Sequence, residues 1–266
     1  MALPRIAVLS DIHANLEAFL AVLEDMRTVT QPEIVVNLGD TIGYGPDPAP
    51  CIDLAIGACD VNLCGNHDYA VVNEAEGFNP VARAAVDYHR SLLRPFGHPS
   101  DDPDRHRRWQ WLLGLDPMRC LSDEEDGDVE FMHASPRQPI SEYVLPTDPE
   151  LDPDKIDILF SAMSGRVAFI GHTHFPGVIE EGAGDFWMPD MLGVDGYTVI
   201  GGKRALVNVG SVGQPRDRDP RACYVIFDQG RVEYRRIEYD LAQTQRKIRD
   251  TGKIHELCAS RLADGR

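Results

Sequence analysis

Up to Thr173 the chain alternates short apolar runs with stretches of helical periodicity, and that alternation restricts it to an α/β architecture with parallel strands. Residues 5–9, 34–38, 60–63, 129–132 and 167–170 read as buried strands. From about Asn15 a helix carries Leu16, Phe19, Leu20, Leu23 and Met26 on one face. Asn79-Pro80 supplies the cap and first position of another, with Val81, Ala84, Ala85, Tyr88 and Leu92 on one face. A short helix with Trp109, Trp111, Leu112 and Leu113 stops at Gly114, and Asp152-Pro153 opens one that reaches about Met163. Beyond Thr173 the pattern becomes a series of short strands: residues 178–179, 186–188, 197–200, 205–209, 223–227 and 232–236. Turn signals at Gly182, Asp195-Gly196, Gly201-Gly202 and Gln229-Gly230 separate them. A polar helix over about 240–264 ends the chain, and the Pro- and Asp-rich residues 96–105 read as an exposed loop. With no internal repeat or linker, the expectation is one domain over residues 1–266, two sheets packed face to face with helices outside.

Five polar motifs stand directly behind predicted strands: Asp11-Ile12-His13, Gly39-Asp40, Gly65-Asn66-His67-Asp68, His133 and Gly171-His172-Thr173-His174. Ligands in open α/β sheets bind outside the carboxyl ends of the strands, so five loops are expected to converge on one edge. Singly, Asp-x-His and Gly-Asp are common turn sequences, and a lone histidine is usually a satisfied structural residue. Their joint occurrence, each after a strand, is improbable on those terms. The donor set is Asp, His and Asn with no thiolate, which suits Mn, Fe, Co or Zn. Seven candidate ligands exceed what one tetrahedral ion takes but match two ions sharing a carboxylate. Asp11 and Asp40 carry −2 against +4 for two divalent ions, leaving a net positive site for a phosphate. His89, His98, His106 and His255 fall in helical or loop contexts and are assigned no chemistry.

That local sign matters because the formal net charge of the chain is −17. Such an excess of carboxylates repels nucleic acid and anionic membranes at long range, so neither is an expected partner. The six cysteines form no CxxC pair, which argues against a zinc ribbon or thioredoxin motif; they read as core residues in a reducing compartment. The first residues lack the apolar stretch of a signal peptide, and no apolar run approaches the roughly 20 residues of a membrane span. Cytoplasm is the expected location.

The ordered motifs resemble the calcineurin-like metallophosphoesterase superfamily, whose pattern runs D-x-H, G-D, G-N-H-D/E, H and G-H-x-H. Gly43-Tyr44-Gly45-Pro46, His133-Ala134-Ser135-Pro136 and residues 208–216 further resemble one bacterial and archaeal branch. The resemblance spans roughly residues 5–236 and implies a four-layer α/β/β/α sandwich with two packed mixed sheets. Carried over by motif, it implies that Asp11, His13 and His174 hold one divalent transition ion, that Asn66, His133 and His172 hold a second, and that Asp40 bridges them. The implied reaction is hydrolysis of a phosphomonoester or phosphodiester by a metal-bridging hydroxide, with His67 near the leaving oxygen as proton donor. Asp68 is expected either to orient an imidazole or to close the turn after Asn66. Tyr44 and Arg216 are candidate substrate contacts, a solvated loop arginine being the alternative for Arg216.

Departures narrow the branch. Residues 39–45 lack the Arg of the G-D-x-V-D-R-G motif of Ser/Thr phosphatases, and Tyr44 falls one residue later than the metal-binding tyrosine of purple acid phosphatases. A protein phosphatase, a dinucleoside polyphosphate hydrolase and a non-catalytic scaffold on the same fold are the competing functions; the scaffold is disfavoured because no ligand of the pattern is missing. A small phosphorylated substrate is expected, and the oligomeric state is left open.

Overall fold

A computed structural model describes residues 3–122, 127–193, 196–199 and 203–266. In chain order the elements are β1 (Ile6–Leu9), α1 (Leu16–Asp25), β2 (Ile34–Asn37), α2 (Pro48–Ala58), β3 (Val61–Asn62), α3 (Asn66–Val72), α4 (Pro80–Leu93), α5 (Pro103–Leu113), β4 (Met118–Leu121), β5 (Val129–Met132), α6 (Asp148–Leu151), α7 (Pro153–Ala162), β6 (Val167–Ile170), β7 (Gly177–Glu180), β8 (Tyr197–Thr198), β9 (Ala205–Asn208), β10 (Ala222–Asp228), β11 (Arg231–Ile237), α8 (Leu241–Thr251) and α9 (Glu256–Asp264).

β1 is buried at every position because both faces of its sheet are covered. Ile6 and Val8 pack toward the second sheet, while Ala7 and Leu9 pack against Phe19 and Val22 of α1, the period of two expected of a strand. One sheet runs β3-β2-β1-β10-β11-β8 and the other β4-β5-β6-β9-β7. β1, β2 and β3 are parallel, as are β5, β6 and β9; the remaining pairings are antiparallel, so both sheets are mixed. Between the sheets Phe131 and Phe169 stack at 5.5 Å, and Phe227 from the opposite sheet meets Phe169 edge-on at 5.3 Å. α1 and α2 cover one outer face. Ile156, Leu159 and Phe160 of α7 cover the other, against Met132, Ala168 and Ile170. These are the four layers the resemblance implied.

Several local expectations are corrected. Val22 lies in the buried stripe of α1, whereas Leu20 is half exposed, because Ala18, Val22 and Met26 follow one another at steps of four. Residues 96–105 are not loop throughout: Pro103 opens α5, with the Asp102 carboxylate accepting from the Arg105 N–H, the same device as at Asp152 before α7. Residues 186–188 contribute a single bridge, Trp187 to Val178, rather than a strand. The C-terminal helix is two helices, since Gly252 ends α8 at φ +57°. α2, α3, α6 and β4 are further elements that the sequence pattern does not announce. Cys120 on edge strand β4 is exposed, unlike the other five cysteines. Asp195, Ile200 and Gly201-Gly202 lie outside the described residues. Among those described, no helix is long and apolar enough to cross a membrane.

The aromatic layer sets a stability expectation. Phe169→Ala removes the ring that touches both Phe131 and Phe227, and should cost about 3–5 kcal/mol in denaturant unfolding. A loss well below ~1 kcal/mol would mean that this layer is not the packed centre of the molecule.

Candidate metal centre

The segments that leave β1, β2, β3, β5 and β6 carry Asp11 and His13, Asp40, Asn66 and His67 (the first two residues of α3), His133, and His172 and His174 respectively. All five motifs therefore meet at carboxyl ends of parallel strands. Asp11, His13, Asp40, His67, His133, His172 and His174 are all buried. Asp11, His13, Asp40, Tyr44, His172 and His174 adopt φ between +49° and +64°, six of the ten non-glycine positions with positive φ among the described residues. Such conformations cost of order 1–3 kcal/mol each and persist only where surroundings impose them. Here cross-loop hydrogen bonds impose them: Asp11 N–H to Gly39 O (3.0 Å), His13 N–H to Asp40 O (2.9 Å) and Gly171 N–H to His133 O (2.8 Å).

Two glycines let carboxylates approach the backbone. A Cβ at Gly65 would overlap Asp40, and a Cβ at Gly171 would overlap Ser10 and the Asp11 carboxylate. The backbone N–H of His67 donates to Asp40 Oδ1 (2.7 Å), and that of His172 donates to Asp11 Oδ2 (3.0 Å).

The chemistry of the donor set fits a cation. His13 Nδ1 lies 3.1 Å from Ile42 O, and His174 Nδ1 lies 2.6 Å from Gln214 O. A carbonyl only accepts, so in the neutral rings each Nδ1 carries the proton and each Nε2 presents a lone pair. Those Nε2 atoms are 3.1 Å apart and stand 3.5 and 3.2 Å from Asp11 Oδ1. Three acceptors thus converge with no donor between them. A second group mirrors the first: His133 Nε2 is 3.2 Å from Asn66 Oδ1, 3.2 Å from His172 Nδ1 and 3.4 Å from Asp40 Oδ2. Asp40 Oδ2 also lies 3.7 Å from His13 Nε2, so it stands between the two groups. Asp11 Oδ1, His67 Nδ1, His133 Nδ1 and His172 Nε2 are buried without a hydrogen-bond partner.

Charge follows the same geometry. Burial works against both carboxylates, yet the surrounding imidazoles together outweigh it, His174 foremost at Asp11 and His133 at Asp40, and hold both well below the usual range. Burial also opposes a charged His133, but Asp40 and Asp11 lift it to about 9. Burial and His133 push His172 down to about 3, and burial and Arg216 push His174 down to about 4. The protein side chains alone thus gather positive charge at one imidazole to balance two carboxylates. A divalent cation would take over that balance and release the proton.

Support residues lie behind this shell. Burial and neighbouring Asp40 raise Asp68 to about 7. Its carboxyl group accepts N–H bonds from Gly65 (3.2 Å), Thr41 (3.3 Å) and Ile42 (3.2 Å). It ties the Asp40 loop to the Asn66 loop, and none of its hydrogen bonds reaches an imidazole. Of the two roles expected for it, the backbone one matches its contacts. His89, which belongs to none of the five motifs, is a clamp. Its Nδ1 accepts from Gly43 N–H (3.0 Å) and its Nε2 donates to Gly45 O (2.8 Å), fixing the turn that presents Tyr44. Only the helical spacing of α4 hinted at its burial. Asn208 holds the imidazole loop through Gly171 O (2.8 Å) and Thr173 Oγ1 (2.8 Å).

Tyr44 and Arg216 are brought together, the guanidinium carbon 5.9 Å from the ring centroid. The Tyr44 ring stands 4.8 Å from His13 and 4.5 Å from His67. Behind it lie Ile248 and Ile254 and, from α9, Cys258 and Leu262. Arg218 N–H donates to Gly265 O (2.8 Å), which fastens the end of α9 to the loop bearing Arg216.

Comparison with known proteins agrees with this geometry. Residues 4–192 match the calcineurin-like phosphoesterase family. The chain is 34% identical over 275 residues to the uncharacterized protein MJ0912 of Methanocaldococcus jannaschii, covering 100% of both chains. It is similar to the crystal structure of a metallophosphoesterase from Sphaerobacter thermophilus, with TM-score 0.79, 34% identity and 99% of each chain covered. The hypothetical protein PH1004 from Pyrococcus horikoshii OT3 shares the fold, at TM-score 0.75 and 17% identity over 98% of each chain. The chain belongs to the calcineurin-like phosphoesterase family. It is a metal-dependent hydrolase acting on phosphate esters.

His89 makes a pH expectation. Burial holds it near 4, below the ~6.5 of a free imidazole. Its contribution to stability is full above pH ~6.5 and is lost as pH falls through about 4, to a total of about 3 kcal/mol. Unfolding of the wild type and of His89→Gln, compared in chelator, should therefore give a stability difference that shrinks between pH 7 and pH 4. A difference constant over that range would place His89 elsewhere than in a neutral clamp.

Proposed function

We propose that this chain hydrolyses a phosphomonoester or phosphodiester of a small molecule at a centre of two divalent transition ions, drawn from Mn, Fe, Zn and Co. The observation that carries the reading is the pair of buried acceptor groups, Asp11-His13-His174 and Asp40-His133-His172, in which Asp40 reaches across to His13. Ions bound there would supply Lewis acidity, neutralising phosphate oxygens and acidifying the attacking water. Asn66 would complete the second set through Oδ1, which already faces His133.

The protein's own groups would do the rest. His67 lines the cleft beside the acceptors, with its Nδ1 free of any hydrogen bond. It would donate a proton, or an N–H hydrogen bond, to the departing oxygen. Arg216, with its guanidinium over the Tyr44 ring, would bind a phosphate oxygen from the side of the first set. Tyr44 would contact the group attached to the phosphate. A Ser/Thr phosphatase lacks support because residues 39–45 carry no arginine, and a scaffold lacks support because every acceptor of the pattern is present.

Elemental analysis after metal loading should give two ions per chain, and Asp40→Ala should lose at least one of them. Saturation at a single ion, or unchanged content in Asp40→Ala, would overturn the two-ion reading. His67→Ala should lower turnover by about 10²–10⁴-fold, the usual span for a general acid, while metal content stays near wild type. His67 also lies within ligand reach of His13 and Asp40, so loss of metal along with activity would make it a ligand instead. Tyr44→Ala and Arg216→Ala should retain metal and raise KM more than they lower kcat.

A further inference from the structure

A cleft of about 240 Å³ opens beside the acceptors, with Asn66, His67 and His172 at its inner end. Two of its walls are aromatic. Phe78 stands edge-on to His67 at 4.8 Å, and Tyr143 lies over His172 at 4.1 Å with 31° between the rings. Tyr143 is half exposed, so part of its face is bare to solvent. The cleft widens outward into a depression of about 660 Å³ that shares Asn66, Phe78, Glu76 and Ser141 and adds Tyr69 and Glu74. Among the described residues, no lysine or arginine lines either part, and the ionisable groups at the mouth are the acidic Glu74 and Glu76.

Building on the phosphoesterase reading, we infer that the substrate carries a single phosphate and that its alcohol portion bears a flat, uncharged ring seated between Phe78 and Tyr143. A nucleoside-type monoester has that chemistry; a bare sugar phosphate and a nucleoside diphosphate do not. Aromatic faces reward a planar ring by stacking and by removal of apolar surface from water. A second phosphate placed in the cleft would leave water for a wall without a cation and would face two carboxylates. The dinucleoside polyphosphate reading loses support on the same ground. Among the described residues, Arg216 and Arg261, the arginines that act on Tyr44, both lie outside the lining of this cleft.

The test is calorimetric binding of non-hydrolysable methylene phosphonates to the metal-loaded protein, so that affinity is read without turnover. The analogue of adenosine 5′-monophosphate should bind at least about tenfold tighter than that of ribose 5-phosphate, the size of one good stacking contact. The diphosphate analogue should bind more weakly than the monophosphate one. Phe78→Ala and Tyr143→Ala should each narrow the tenfold ratio to about twofold or less, with thermal melts checking that both variants fold. Equal affinity for the ribose and adenosine analogues, tighter binding of the diphosphate, or a ratio that survives both substitutions would overturn the inference. Failure of the phosphoesterase reading registers separately, as absence of metal-dependent turnover of adenosine 5′-monophosphate, ribose 5-phosphate and an aryl phosphate alike.

Discussion

Two buried carboxylates facing imidazole lone pairs are the interaction around which the rest of the molecule is arranged. Left without positive charge, Asp11 and Asp40 would be expensive to bury. The neighbouring imidazoles answer only part of that, because His13 and His174 donate Nδ1–H to backbone carbonyls and turn Nε2 lone pairs toward the carboxylates. A cation is what the remaining lone pairs lack. The apolar layers, by contrast, have no unusual demand; they serve to hold five loops at one edge.

Holding those loops is the costly part. Asp11, His13, Asp40, His172 and His174 occupy left-handed backbone conformations, and a web of N–H bonds to carbonyls and carboxylates keeps them there. Asp68 illustrates the economy of the arrangement. One carboxyl group, buried and uncharged more readily than usual, gathers N–H donors from both the Asp40 and the Asn66 loops. His89 does the same for the turn at Tyr44 from a helix on the other side.

Much of this was legible in the sequence because the acceptors follow strands directly. Asp11, Asp40, His133 and His172 fall one to three residues after apolar runs whose period is plain, so their convergence could be read from topology alone. The four-layer stacking was legible for the same reason. What escaped was whatever depends on tertiary partners rather than on local pattern. α2 carries Pro48, Pro50 and Gly57, which obscure its helical period. The end of α5 at Gly114 was legible, but its start was hidden in a charged stretch, although Asp102-Pro103 repeats the cap seen at Asp152-Pro153. His89 looks like any helix histidine until Gly43 and Gly45 are seen against it, and Phe78 and Tyr143 have no signal other than being aromatic in loops. The split of the acceptors into two groups sharing Asp40 rested on resemblance; in the structure Asp40 stands near both groups, and His13, Asp40 and His67 form a third.

The contact between Tyr44 and the last two helices has a consequence for how the site can vary. α8 and α9 follow residue 192, where the family match stops, yet Ile248, Cys258 and Leu262 form the bed on which that ring rests. Gly265, past the end of α9, meets Arg218, close to the other substrate-side candidate. Substitutions there can tilt the tyrosine or shift the arginine loop without touching a single acceptor. The molecule thus separates two kinds of tuning: the motifs from Asp11 to His174 carry the candidate metal acceptors, and the carboxyl-terminal helices support Tyr44 from behind.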